Sequence, residues 1–220
     1  MESASSSSLW LYVLLGVIPF VFLCTTSFLK ISVVFSILKN ALGAGDVPSG
    51  TVILALSAIL TLYVMAPVGY EIVRAAGPTA AQVNTSDPMS DQAALSSTWE
   101  AGIEPLRAFL VRNTSPRERD LFFDLAREAR PEDQRDAITN SDLLIIIPAF
   151  VVTELSEAFQ IGFLVFIPFL VIDLVIANVL MALGMQSLNP TQVSMPFKLL
   201  LFVLVDGWYL LARALVLGYA

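Results

Sequence analysis

LLIIIPAFVVTELSEAFQIGFLVFIPFLVIDLVIANVLMAL, residues 143–183, decides the fold: a nearly unbroken apolar run with Glu154, Glu157, Gln160 and Asp173 embedded in it. As one straight helix it would be roughly 60 Å long, about twice the hydrocarbon core of a bilayer. A break is therefore expected at Pro148, in the polar stretch Glu154–Gln160, at Gly162 or at Pro168, turning the run into a helical hairpin. Each ionisable group inside a membrane helix costs about 2.5–3.5 kcal/mol on insertion scales. Embedded carboxylates are thus expected to face protein, a watery cavity or a conduit, not lipid.

Downstream, Gly184 to Pro196 reads as a second break, with Asn189-Pro190 as a turn signal. A last apolar helix is expected from Phe197 to Ala220, carrying Lys198, Asp206 and Arg213. Upstream, Leu9 to Leu29 and Thr51 to Tyr70 are each long enough to span a bilayer. Pro19 is expected to kink the first, Pro67 and Gly69 to weaken the end of the second. Gly43, Gly45, Pro48 and Gly50 read as the loop between them. Met1 to Ser8 carries no Lys or Arg, so the first run reads as an uncleaved anchor helix. The expected architecture is an all-α membrane protein with about four hydrophobic helical regions and one small helical polar insert. The expected divisions are 1–70, 71–142 and 143–220.

Composition supports this class. The 220 residues are 56% hydrophobic and 14% charged, where soluble domains carry about 25% charged residues. Mean hydropathy is +0.77. A net charge of −7 with no basic stripe argues against a nucleic-acid partner. Thirteen of the nineteen acids and eight of the twelve basic residues fall in Glu71 to Asp142. With Lys30 and Lys39 read between the first two spans, the positive-inside rule puts that loop in the cytoplasm and the polar insert on the opposite side.

Within the insert, Gly77 to Gln92 reads as a linker. Leu95, Trp99, Ile103, Leu106 and Leu110 recur at helical spacing. Ser115, Pro116 and Glu118 form a helix-start signal of the capping-box type, with Leu121, Phe122 and Leu125 as the expected buried face. Cys24 is the single cysteine and there is no histidine, which excludes an intrachain disulfide and Cys/His metal sites. No cofactor is expected.

Glu154 and Glu157, three apart, would share a helix face. The embedded polar set Glu154, Glu157, Gln160, Asp173, Lys198, Asp206 and Arg213 suits contacts between subunits; for Lys198 and Arg213 the alternative is snorkelling toward headgroups. Asp206 and Arg213 are too far apart along one helix for close pairing. A second functional class, a small proton or ion translocator with Glu154, Glu157 and Asp173 as relay groups, stays open. Catalysis is not expected, since no nucleophile–base set is present. Met181, Met185 and Met195 bracket the break at Gly184, where flexible side chains fill irregular space.

DLLIIIPAFVVTELSEAFQIGFLVFIPFLVIDLVIANVLMALGM (142–185), PFKLLLFVLVDGW (196–208), TSFLKISVVFSILKNALG (26–43) and the run from Thr51 to Pro67 together resemble the FliP/SctR family, also called YscR, HrcR or SpaP. These are inner-membrane components of the type III export apparatus. The resemblance covers most of the chain except Glu71 to Asn140. It implies a ring of five copies joined to SctS-like and SctT-like subunits, with SctU-like and SctV-like components nearby. Unfolded protein would pass through that gate, and much of the complex would sit above the ordinary membrane plane. It also implies a methionine-rich gasket at Met185, Gln186, Ser187 and Leu188, with Met181 nearby. Relatives often carry consecutive methionines there, and this chain has a polar Gln186–Ser187 pair instead. The absence of a signal peptide would favour the injectisome branch over the flagellar one.

Overall fold

The computed structural model describes residues 16–43, 45, 47–81 and 92–220. Residues 9–15 of the expected first span, and most of the expected linker, lie outside the described residues. Among those described there are eight α-helices, one 3-10 turn and no strand: α1 (Gly16–Thr25), α2 (Phe28–Leu42), α3 (Gly50–Ala80), α4 (Gln92–Arg112), α5 (Pro116–Glu128), the turn Glu132–Ala137, α6 (Leu143–Ala182), α7 (Pro190–Leu204) and α8 (Gly207–Leu217). The all-α expectation holds. The chain forms two compact units, one of the described residues up to Ser27 with Met65–Glu154, the other of Phe28–Val64 with Leu155–Ala220.

Five expectations about helix bounds are corrected. The run from Leu9 to Leu29 is not one span: α1 ends at Thr25 and α2 starts at Phe28. Residues 143–182 form one 40-residue helix, not a hairpin. Glu, Gln, Leu and Ala in the 154–160 stretch are good helix formers, so polarity there does not end a helix. A single proline removes one backbone bond and bends a helix more often than it stops it. Gly162 serves close packing: a side chain there would overlap Ile37 of α2. The second span continues past Tyr70 to Ala80 despite Pro67 and Pro78. Lys30 and Lys39 belong to α2, not to a loop. Finally, the last apolar run is two helices: α7 starts at Pro190, with Pro196 inside it, and α7 and α8 meet at a 60° bend.

In the first unit, Thr25 and Thr26 each return a hydroxyl bond of 2.7 Å, to the carbonyls of Val21 and Phe22. Such back-bonding competes with the helix ladder and falls where α1 ends. Phe109, Leu110, Ile145, Ile146, Ala149 and Phe150 are buried, and the Phe109 and Phe150 rings lie 6.0 Å apart. Trp99, one of the helically spaced apolar residues of α4, is 67% exposed, and the buried residues of that helix are Phe109 and Leu110. Ser115 and Pro116 occupy the expected start of α5, but the Ser115 hydroxyl makes no cap bond to the helix. Its amide donates to Thr153 Oγ1 at 3.1 Å. No residue of α5 is buried, and Leu121 and Leu125 are exposed.

α6 begins at Asp142, whose carbonyl accepts the amides of Ile145 and Ile146, both at 2.9 Å. Its carboxylate accepts the Thr139 amide at 3.0 Å and the Thr139 hydroxyl at 2.7 Å. These donors hold the carboxyl below the usual carboxylate range, the amide first. A depressed folded value means stability present above the unfolded pKa and lost as pH falls through the folded one. The protection of the amides at the start of α6, corrected for the intrinsic exchange rate, should therefore fall only below about pH 4. Asp142→Asn should abolish that acid step; an unchanged step would refute the assignment.

The second unit is built on α2. Ile31, Val34, Phe35, Leu38, Ala41 and Leu42 form a helical stripe that packs with Ile53, Ala158, Phe169, Phe202, Leu211 and Leu215. At the α7–α8 bend, Asp206 takes a left-handed conformation (φ 52°). Gly207 lies directly against the Phe202 ring, where a side chain would overlap it. That ring is confined between Phe169 (6.4 Å) and Trp208 (5.1 Å, edge-on). Gly207→Ala should cost about 1–3 kcal/mol by overpacking, read as a lower melting temperature in detergent. A variant melting like the parent would show that the bend is free to open.

Candidate functional site: two buried lysines and their carboxylates

Asn189 caps α7, its side-chain oxygen accepting the Thr191 amide at 3.0 Å, and Pro190 fills the first helical position. This start sets Ser194 and Lys198, four apart, on one face. Both meet Asp173 of α6. The Lys198 ammonium donates to Asp173 Oδ2 at 2.6 Å, and the Ser194 hydroxyl donates to Asp173 Oδ1 at 2.5 Å. Lys198 also donates to the Ala41 carbonyl at 2.9 Å. That carbonyl lies in the last turn of α2, where unpaired oxygens carry the negative end of the helix dipole. The lysine side chain is 3% exposed and the aspartate 27%.

A second pair ties α2 to α6. Lys30 Nζ stands 2.6 Å from Glu157 Oε2, and 4.2 Å from the centre of the Tyr219 ring, within cation–π range. Here too the lysine is buried (4%) and the carboxylate half-exposed (48%). A buried ammonium is tolerated only when paired and hydrogen-bonded. The two lysines therefore fix α2, α6 and α7 in one register, and no acid–base chemistry is needed to explain them.

The expected site residues thus separate. Asp173 and Lys198 come together, and Lys198 does not snorkel. Glu157 finds Lys30, while Glu154 is fully buried, so the two glutamates do not share an environment. Gln160, Asp206 and Arg213 are exposed. Asp206 sits in the bend, so it and Arg213 are not part of one continuous helix face. Lys30, Ser194, Tyr219 and the Ala41 carbonyl were missed. For Lys30 the signal was present: it lies four before Val34, on the same face as the apolar stripe.

Met181 lies in the last turn of α6, and Met185 to Leu188 follow the helix. Gly184 (φ 72°) closes the helix, its amide bonding to the Met181 carbonyl at 3.0 Å and the Met185 amide to the Leu180 carbonyl at 2.9 Å. This is a Schellman stop, which a glycine makes without steric cost. Met181, Leu183, Met185, Gln186, Ser187 and Leu188 are all exposed. The loop is held at its base by the Asp173, Ser194 and Lys198 bonds.

Among the described residues two helices, α3 and α6, are long and apolar enough to cross a membrane, and up to four spans result if each bent pair counts as one. With compensated charges buried among such helices, this is an all-α integral membrane protein. The chain belongs to the FliP family, whose model matches residues 11–215. It is 41% identical over 219 residues to the pathogenicity-related ORF2 of Xanthomonas campestris pv. glycines, covering 100% of this chain and 99% of that one. It is 42% identical to the Yop proteins translocation protein R of Yersinia pestis, covering 94% and 92%. It is 36% identical to the flagellar biosynthetic protein FliP of Bacillus subtilis, covering 99% and 93%.

Proposed function

We propose that this chain is a non-enzymatic, pore-building subunit of a type III export gate in the bacterial inner membrane, acting in virulence-related secretion. Relatives named for translocation, secretion and flagellar biosynthesis, similar over nearly their whole length, support a role in protein export. Five copies would form a ring with SctS-like and SctT-like subunits, next to SctU-like and SctV-like components. Unfolded protein would pass through it, and the polar insert would lie on the periplasmic side.

One observation carries the pore reading: an exposed loop in which Met185 and Leu188, with Met181, flank a polar Gln186–Ser187 pair, mounted on a base held by the ion pair of the buried Lys198 with Asp173. Soft side chains on a fixed mount suit a seal that must close on passengers of variable shape. Gln160, Asp206 and Arg213, all exposed, would then serve contacts with neighbouring subunits, whereas the fully buried Glu154 would serve packing within the chain. The ion-translocator reading loses support, because Glu157 and Asp173 are each held by a lysine at 2.6 Å.

The test is the mass of the detergent-purified complex, made with and without its neighbouring membrane subunits. A five-fold particle that gains those partners is the expected result. A stable monomer or dimer indifferent to them would overturn the proposal. Separately, Met185→Ala with Leu188→Ala should make cells leak small solutes while still secreting protein; an unchanged solute barrier would remove these residues from the seal.

A further inference from the structure

We infer that Gly43 is a positioning residue for the loop 183–189: its missing side chain lets the first turn of α7 seat against the α2–α3 turn. The last turn of α2 and the residue just after it hold α7 at two points within three residues. The Ala41 carbonyl accepts Lys198, two turns into α7. Gly43 faces Thr191, the second residue of α7. A Cβ built on Gly43 would stand 2.9 Å from Thr191 Cγ2 and 3.6 Å from Lys198 Nζ.

Thr191 has little room to retreat. Its β-branch restricts its side-chain rotation, and its amide is bonded to the Asn189 cap. Pushing Thr191 outward would open that cap, which is the residue that ends the loop. The loop is thus fixed from α6 by the Schellman stop at Gly184, and from α2 by the Gly43 contact. Gly45 supplies an internal comparison. It shares the left-handed backbone (φ 62° against 66° at Gly43), but among the described residues nothing lies within 4 Å of a Cβ there. Backbone strain on substitution is therefore alike at the two glycines, and the contact exists at one.

That the loop's position matters to export rests on the proposed function; the positioning itself does not. The experiment uses the full chain with Cys24→Ala, purified in detergent. Spin labels are placed at Ser36→Cys on the exposed side of α2 and Ser187→Cys in the loop, and their distance distribution is measured. Gly43→Ala should shift or broaden it, Gly45→Ala should leave it unchanged, and Thr191→Ser, which removes only Cγ2, should restore the Gly43→Ala distribution. An unmoved distribution in Gly43→Ala, an equal change in Gly45→Ala, or no restoration by Thr191→Ser would overturn the inference. Should Gly43→Ala not accumulate, recovery of accumulation with Thr191→Ser supports the contact, and its absence refutes it. Secretion by the same variants is scored in parallel. A displaced loop with full secretion would leave the positioning standing and refute the loop's part in export.

Discussion

Asp173→Ala is expected to destabilise the Phe28–Val64 and Leu155–Ala220 unit by about 3–5 kcal/mol, the range for breaking a buried ion pair from one side. The asymmetry of the pair sets the direction. Lys198 is 3% exposed and Asp173 27%, so losing the carboxylate strands a charge that water cannot reach. Lys198→Met should cost less, because Asp173 keeps Ser194 and partial access to solvent. The double variant should lie close to Lys198→Met alone, giving a coupling of opposite sign to the single losses. Melting temperatures of the four proteins in one detergent decide it. A loss under about 1 kcal/mol for Asp173→Ala would rank the pair with exposed salt bridges and remove it as the base of the loop.

Glu157→Ala should cost about 2 kcal/mol, less than the first variant because Glu157 is half-exposed and its attraction is screened. Its effect should again exceed that of Lys30→Met, which takes the buried charge away altogether. Tyr219→Leu in the Glu157→Ala background should add a further loss of about 1 kcal/mol by removing the ring beneath the ammonium. Melting in detergent reads all three. Equal effects of Lys30→Met and Glu157→Ala would mean that burial of the lysine does not govern the pair.

The helical class was legible because apolar runs of such length have one solution in a membrane. The embedded charges were legible too, as groups in need of partners. The partners were harder to see. Asp173 and Lys198 are 25 apart in sequence, and their meeting depends on where α6 stops and α7 starts. Gly184 announced the stop, but Pro190 read as part of a turn when it is the first residue of a helix. Lys30 was hidden by a rule that counts lysines as loop markers, although its spacing from Val34 put it on a buried stripe. Gly162 looked like a breaker because sequence alone does not show that Ile37 would lie against it. Trp99, Leu121 and Leu125 have helical periodicity and remain exposed, since periodicity identifies an apolar face and not what covers it.

The bond from Lys198 to the Ala41 carbonyl joins groups 157 residues apart. During synthesis at about 5–20 residues per second, the end of α2 leaves the ribosome roughly 8–30 s before the ammonium that will satisfy it. Lys30 waits for Glu157 in the same way. The N-terminal quarter must therefore persist in an incomplete state, with its apolar stripe uncovered and its lysine not yet matched, until the last third arrives. Nascent chains stalled before residue 198 should be short-lived targets of membrane quality control, and the rate of translation between α2 and α7 becomes a determinant of how much protein matures.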